Sequence, residues 1–487
     1  MKFSKLYGYS SMKKLLLFML MAVSLQGVAQ KNKTVSSPKL TDNSNLLVPE
    51  RWDFQAGKVT FLDYKGKKAM KIGSLSGQVV LKDFVFKDGT IEFDIEPHPA
   101  EFASSVYFHR KDAKEQEIVY LRVPRIGSKL ANQGIQYAPY FDGVNMWDIY
   151  PQYQAPAMAK TGEWNHMKLV ISGKQMKVYV NDMVNTVLEV PKLEGTIAEG
   201  SIAFEGEGYI TNLQIKPNET EGLASYEGAD MTKHDGQYLR KWAISTPVLF
   251  PKGNETFAEN LPDAEDFLES IDAETAGLLN LTRRFGATPQ RKLVWLKTSI
   301  TASELTFTNL QIGFNDEIWV YLNNEMVLVD KNLFPQVGMR KIPGGRLAIT
   351  NTVAKLNLKK GDNELLVAVA NDFYGWGFMA RLENVDKVER IDEVATILNL
   401  AEEIRKTPLE PYVGVYAQPG SDYKLTFAQK DKKLVARVIN SDVEFKMKYI
   451  GNHTFSIPKA FATVQFKPTE SKLSFKQGVD VKEFVKE

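Results

Sequence analysis

The sequence predicts an all-β protein: two β-sandwiches of jelly-roll type, followed by a small domain made of one helix and a β-barrel. Three observations carry this reading. Short runs of alternating apolar residues, separated by Gly, Asp, Asn and Pro, recur from Trp52 almost to the C-terminus. Only one stretch, near residues 392–406, has a strongly helical period. The chain of 487 residues has the length of about three domains at roughly 150 residues each. Its 44% hydrophobic and 25% charged residues are those of ordinary globular protein.

The N-terminus reads as an export signal. Lys2, Lys5, Lys13 and Lys14 precede the apolar run Leu15 to Val23, and Gly27-Val28-Ala29 supplies small residues for cleavage. Residues 1–29 are therefore expected to be a signal peptide removed near Ala29, with Met12 as an alternative start. Residues 30–47 form a polar, flexible leader. No segment reaches the roughly 20 apolar residues of a membrane span. Removing the signal leaves 57 basic against 59 acidic residues, a formal −2, with no basic surplus for nucleic acid. The chain has no cysteine, which excludes disulfides, thiolate metal sites, iron–sulfur clusters, thiol nucleophiles and a lipidated N-terminal cysteine. The expected location is periplasmic, secreted or cell-surface.

Residues 48–217 carry the first strand pattern, with runs at Gln78 to Phe84, Thr90 to Glu96, Ser104 to His109, Glu117 to Val123, His166 to Ser172, Lys177 to Asn181 and Ser201 to Phe204. Residues 218–240 are rich in Gly, Asp, Glu and Thr and read as a linker. In residues 241–388, Asp263 to Thr275 is expected to be a helical or irregular insertion. Strands are predicted at Leu293 to Ser299, Leu305 to Phe314, Glu317 to Leu322 and Glu364 to Ala370. Residues 389–487 begin with an amphipathic helix, Asp392 to Lys406, whose apolar stripe is Val394, Ile397, Leu398, Ala401 and Ile404 and whose N-cap is Asp392. Seven or eight strands at regular spacing then close a small barrel.

The phrases Phe86 to Ile95 (FKDGTIEFDI), Val106 to Arg110 (VYFHR), Gly134 to Tyr137 (GIQY), Gly162 to Asn165 (GEWN) and Val178 to Asp182 (VYVND) follow one another in an order that spans the first unit. This unit resembles the concanavalin A-like lectin/glucanase superfamily, in its laminin-G-like and 3-keto-disaccharide hydrolase-like branches. The phrases Ile312 to Asn323 and Gly361 to Val367, with Gly375-Trp376-Gly377-Phe378, make the second unit similar to a galactose-binding-like jelly roll. Tyr412 to Tyr416 and Val464 to Phe466 make the third similar to the lipocalin-like domain that follows exported β-lactamase-type serine hydrolases, here without their catalytic domain. The resemblances imply a carbohydrate-bearing fold and assign no activity.

The candidate chemistry lies in the first unit. Glu92, Asp94 and Glu96 alternate with Ile91, Phe93 and Ile95, so the three acids share one face of a strand. The pattern resembles the E-x-D-x-E strand of family 16 glycoside hydrolases and serves equally as the wet side of a half-buried strand. Tyr107 and His109, then Tyr120 and Arg122, with Gln136, occupy the polar phase of neighbouring strands and are candidate sugar ligands. Arg110 replaces His109 if a bulge shifts the phase. Trp147 and Trp376 sit beside loops, where a flat ring stacks on a pyranose or caps a core. Trp164 and Trp319 are expected in the core. Asp316, Asp362 and Asp372 are candidate oxygen ligands for a structural calcium, although no EF-hand pattern is present, and no other cofactor is implied. The five histidines form no metal pair.

The function expected is an exported protein that binds a polysaccharide, a glycan or a cell-surface partner without catalysis of its own. The alternatives are a glycoside hydrolase or lyase using carboxylates of the first unit, and a structural envelope component. On export, Edman sequencing should read the mature chain from Gln30; a secreted form that still begins at Met12 would contradict the cleavage signal.

Overall fold

On the strand Gly89–Pro97, Ile91, Phe93 and Ile95 point inward while Glu92 and Asp94 point out, as the period-two pattern requires. The computed structural model describes residues 46–258, 261–391 and 393–487. The expected signal peptide, most of the expected leader and the expected cap, Asp392, lie outside these. Among the described residues the strands form five antiparallel sheets, and no helix is long and apolar enough to cross a membrane.

Two sheets face each other in the first sandwich. One, here the back sheet, runs in the order Leu188–Val190, Gln175–Val180, Asn165–Ser172, Gly89–Pro97, Gly208–Pro217, Lys67–Ile72, Val59–Tyr64. The other, the cleft sheet, runs Trp52–Asp53, Val79–Leu81, Ser201–Glu205, Ala103–Arg110, Gln116–Arg122, Ile135–Phe141, Gln154–Ala155, with Val144–Asn145 paired to Ile135–Phe141. Phe93, Phe108, Val119, Tyr137, Met167, Val178 and Phe204 fill the space between them.

The second sandwich pairs a large sheet centred on Lys292–Ala302, Gly361–Ala370 and Glu317–Leu322 with a smaller one of Leu279–Asn280, Gly377–Leu382, Thr306–Asn315 and Thr352–Leu358. The expected acidic insertion is strand over six of its thirteen residues. After one 3-10 turn at Ala264–Asp266, Phe267–Asp272 pairs with Lys241–Ser245. Phe267 is fully buried, and its burial overrides the weak strand propensity of the acids around it.

The helix spans Ala395–Lys406, and Val394 precedes it without a side-chain cap. Val394, Ile397 and Leu398 pack with Trp295, Trp319 and Tyr321 on the outer face of the large sheet. The C-terminal strands curl into one sheet running from Glu444–Lys446 to Lys448–Tyr449. These two end strands are consecutive in the chain, parted by Met447 alone, so the sheet is nearly closed. Asp480–Lys486 bridges Gly414–Ala417 and Lys472–Gln477. Four of its seven residues are charged, which hid it from the apolar pattern.

The residues between the sandwiches are held against the first one. The side chain of Gln175 donates to the carbonyl of Tyr226, and Lys174 N–H to that of Ser225. The two sandwiches also share an apolar seam in which Leu278, Leu347 and Met379 of the second join the core of the first. Gly375 marks a close approach within it: a Cβ there would lie 2.3 Å from Ile149 Cγ1 and 2.7 Å from Asp148 Oδ1. Gly375→Ala should therefore cost about 1–3 kcal/mol by overpacking. The urea midpoint checks this; an unchanged midpoint would mean that the seam yields freely.

Candidate functional site

The cleft sheet turns its outer side to a cavity of about 740 Å³, walled partly by the first sandwich and partly by loops of the second. Along Gln116–Arg122 the alternation sends Glu117, Val119 and Leu121 to the core, and Ile118, Tyr120 and Arg122 to the cavity. Ser105 and Tyr107 come from the neighbouring strand, and Phe102 from the turn before it. The second sandwich adds Phe334, Arg340 and Arg346 from one long loop, and Phe373 and Tyr374 from the loop before Gly377–Leu382.

Four of the expected ligand residues, Tyr107, Tyr120, Arg122 and Trp147, line this cavity. Gln136 lies just beneath, fully buried. Its side-chain oxygen accepts from Tyr120 Oη at 2.9 Å and from Arg122 Nη2 at 3.0 Å, and its amide donates to the Trp147 carbonyl at 2.6 Å. Arg122 also donates to Tyr120 Oη at 2.8 Å. Burial pushes the Tyr120 phenol up to about 12, so it remains protonated. Tyr107 Oη donates to Glu205 at 2.6 Å, and burial raises its pKa as well.

Two candidates cannot face a ligand in this fold. His109 is 1% exposed. A bulge sets Phe108 and His109 together against Ile202, and His109 takes a left-handed φ of 45° that turns its ring into the core. There it lies 3.3 Å from Glu117 and 2.6 Å from the Lys87 carbonyl. The same bulge returns Arg110 to the outer side, where it donates to Gln78 at 2.7 Å, outside the cavity lining. Trp376 is also 1% exposed and packs in the second core beside Phe285.

Trp147 lines the cavity as part of its base and offers no free face. The Arg346 guanidinium lies 4.8 Å over its ring, and Phe334 and Tyr374 approach edge-on. The aromatics open to solvent are Phe102, 64% exposed, and Tyr374, 49% exposed. Sequence reasoning missed both, as well as Phe334, Arg340 and Arg346. The available signal was Phe373-Tyr374 beside the tryptophan, an aromatic pair in a loop. Trp319 is in the core as expected, whereas Trp164 is half-buried against Tyr64 with Lys67 over its ring.

The three acids of Gly89–Pro97 lie on the back sheet, away from the cavity, and each is neutralised. Glu92 pairs with Lys216 at 2.7 Å and His166 at 2.9 Å. Asp94 pairs with His166 at 2.6 Å and Lys67 at 2.9 Å. Glu96 pairs with Lys65 at 2.7 Å and accepts from Tyr64 at 2.9 Å. Burial alone would raise the pKa values of Glu92 and Asp94, but these partners outweigh it and lower both; for His166 the two carboxylates overcome burial and raise it. Carboxylates held ionised by lysines are poor proton donors at neutral pH.

The calcium candidates do not converge. Asp316 accepts from the backbone N–H groups of Asp372 and Phe373, Asp372 pairs with Lys252 at 2.5 Å, and Asp362 accepts from Thr301. Among the described residues no three His, Asp or Glu side chains gather as a metal cluster.

Beneath the cavity Asp148 is fully buried between the sandwiches. It accepts the Gly375 N–H at 3.2 Å and the Asn315 side-chain amide at 3.0 Å. Its backbone carbonyl accepts from Leu347 N–H at 2.9 Å.

Residues 49–216 match the family model of the 3-keto-alpha-glucoside-1,2-lyase-like domain. The match covers about a third of the chain, the first sandwich. No curated protein matches the chain. Among solved structures, the carbohydrate-binding module CBM66 from Bacillus subtilis is 16% identical over 34% of this chain and 93% of its own, with a TM-score of 0.26. A Bacillus subtilis protein of unknown function with a galectin-like fold is 11% identical over 34% of this chain and 89% of its own, with a TM-score of 0.27. CG-16, a homodimeric agglutinin from chicken liver, is 14% identical over 28% of this chain and 99% of its own, with a TM-score of 0.23.

Burial pushes the Asp148 carboxyl from its ordinary 3.8 up to about 7, so the folded chain holds a proton there that the unfolded chain has released. The sign follows: as pH rises from about 4 to about 7 this group removes stability, and above 7 the loss is complete. Asp148→Asn, which cannot ionise, should flatten the fall in Tm across that range in calorimetry. An equal slope in both proteins would show that Asp148 ionises as a solvent-exposed acid does.

Proposed function

We propose that this chain is an exported protein that binds a polysaccharide or glycan in the cleft between its two sandwiches, and that it carries no catalysis of its own. One observation carries the reading: the cavity combines solvent-open rings, Phe102 and Tyr374, with a buried set of fixed donors, Tyr120, Arg122 and Arg346. Sugar recognition needs both, because a pyranose presents an apolar C–H face and a rim of hydroxyls. The family match over residues 49–216 supports a saccharide as the ligand class.

That same match favours a second reading, a glycoside hydrolase or lyase. Its acids would be Glu205 and Glu101, which line the cavity, in place of Glu92, Asp94 and Glu96, which do not. Glu205 is already engaged by Tyr107. Glu101 accepts the backbone N–H groups of Phe102 and Glu207.

A glycan array followed by calorimetric titration tests both readings. Tyr374→Ala, Phe102→Ala and Arg122→Ala should each weaken binding by about 1–3 kcal/mol, roughly 5- to 150-fold. Glu92→Gln and Glu96→Gln should leave it unchanged. Turnover of a bound saccharide that disappears in Glu205→Gln would establish the enzyme. A silent array with a correctly folded protein would favour a structural envelope role.

A further inference from the structure

The cleft contains more positive charge than its own side chains answer. Arg122 is 7% exposed and Arg346 2%, and both line the cavity. They converge on a single neutral acceptor, the side-chain oxygen of Gln133, at 3.1 Å and 3.2 Å. Their other partners are neutral as well: Tyr120 Oη and Gln136 for Arg122, and the Pro343 carbonyl, at 3.3 Å, for Arg346. In each guanidinium the Nε–H is buried with no acceptor. Arg340, stacked on Phe334 at 4.3 Å, adds a third cation to the wall, and Arg125 a fourth.

Among the described residues none of these four arginines has a carboxylate within ion-pair distance. Another buried arginine of the chain does have its carboxylate: Arg291, 6% exposed at its side chain, sits 2.7 Å from Glu317. The nearest acid behind Arg346 is Asp148, whose oxygens are occupied by Gly375 and Asn315 and whose carboxyl is largely protonated below pH 7. Burial, then the neighbouring Arg122, lower the Arg346 pKa to about 10; Tyr120 and Asp148 oppose this without cancelling it, and Arg340 adds to it. Glu205 and Glu101 face the same cavity but are bound to Tyr107 and to backbone N–H groups.

A buried guanidinium served only by neutral acceptors is costly unless an anion balances its charge. Resting on the carbohydrate reading above, we propose that the ligand is an acidic saccharide, whose carboxylate or sulfate seats on Arg122 and Arg346 while its ring packs toward Phe102 and Tyr374. The planar guanidinium fork suits a carboxylate or sulfate in two-point contact, which a lysine cannot reproduce.

The test compares four probes by calorimetric titration against the whole chain: a hexuronate oligosaccharide, its carboxyl-reduced neutral counterpart, a sulfated oligosaccharide and its desulfated counterpart. An acidic member should bind at least about tenfold tighter than its neutral partner, the scale of one charge-assisted contact; which pair shows the gap distinguishes uronate from sulfate. Arg346→Lys and Arg122→Gln should each shrink that ratio severalfold, with folding checked by near-UV circular dichroism. If either variant fails to fold, the ratio in the unmutated protein decides alone. Equal binding of acidic and neutral partners would overturn the acidic ligand and leave the carbohydrate reading standing. No binding of any probe by the folded protein would overturn both.

Discussion

The cleft depends on one buried carboxyl group. Asp148 sits buried in the seam between the sandwiches and is held by the Gly375 N–H and the Asn315 amide, while its carbonyl takes the Leu347 N–H. Each of three contact points is the chain neighbour of a residue in the cavity wall. Trp147 precedes Asp148, Arg346 precedes Leu347, and Tyr374 precedes Gly375. A shift of one sandwich against the other would therefore move the base, the cationic wall and the aromatic rim together. The group is expensive to bury, and a hydrocarbon of the same size would cost less to desolvate. What the polar contact adds is direction: the carboxyl meets two specific donors, whereas Leu278, Leu347 and Met379 supply only non-directional apolar contact.

The two faces of the first sandwich manage charge in opposite ways. On the back sheet, Lys65, Lys67, Lys216 and His166 interleave with Glu92, Asp94 and Glu96 so that each acid has a cation within 3 Å. Such a ladder stabilises the sheet modestly and leaves nothing to be completed by a ligand. On the cleft sheet the arginines are served only by neutral oxygens. The contrast makes the cleft the chemically unfinished face of the molecule, although the back sheet carries the motif that looks catalytic.

The fold was legible because β-structure writes itself locally. Alternation on Gln116–Arg122 assigns Val119 and Leu121 to the core and Tyr120 and Arg122 to the opposite side, and both sets lie where the pattern puts them. It misled at His109, where one extra residue in the strand inverts the facing of everything after it, and no residue type announces such a bulge. It also missed Asp480–Lys486, whose charged residues face water and whose only fully buried side chain is Phe484.

The sequence by itself determined the all-β class, a helix expected over 392–406 and observed at 395–406, the strands of the first sandwich and the wet phase that holds Tyr107, Tyr120, Arg122 and Gln136, because each follows from spacing within a few residues. Only the tertiary structure decided which wet face becomes a site. Arg346 and Tyr374 stand more than 200 residues from Arg122, and no local pattern records that they share its cavity. Their meeting is set by the docking of two sandwiches around Asp148, a long-range contact between surfaces whose apolar and polar residues read, in the chain, like those of any other loop.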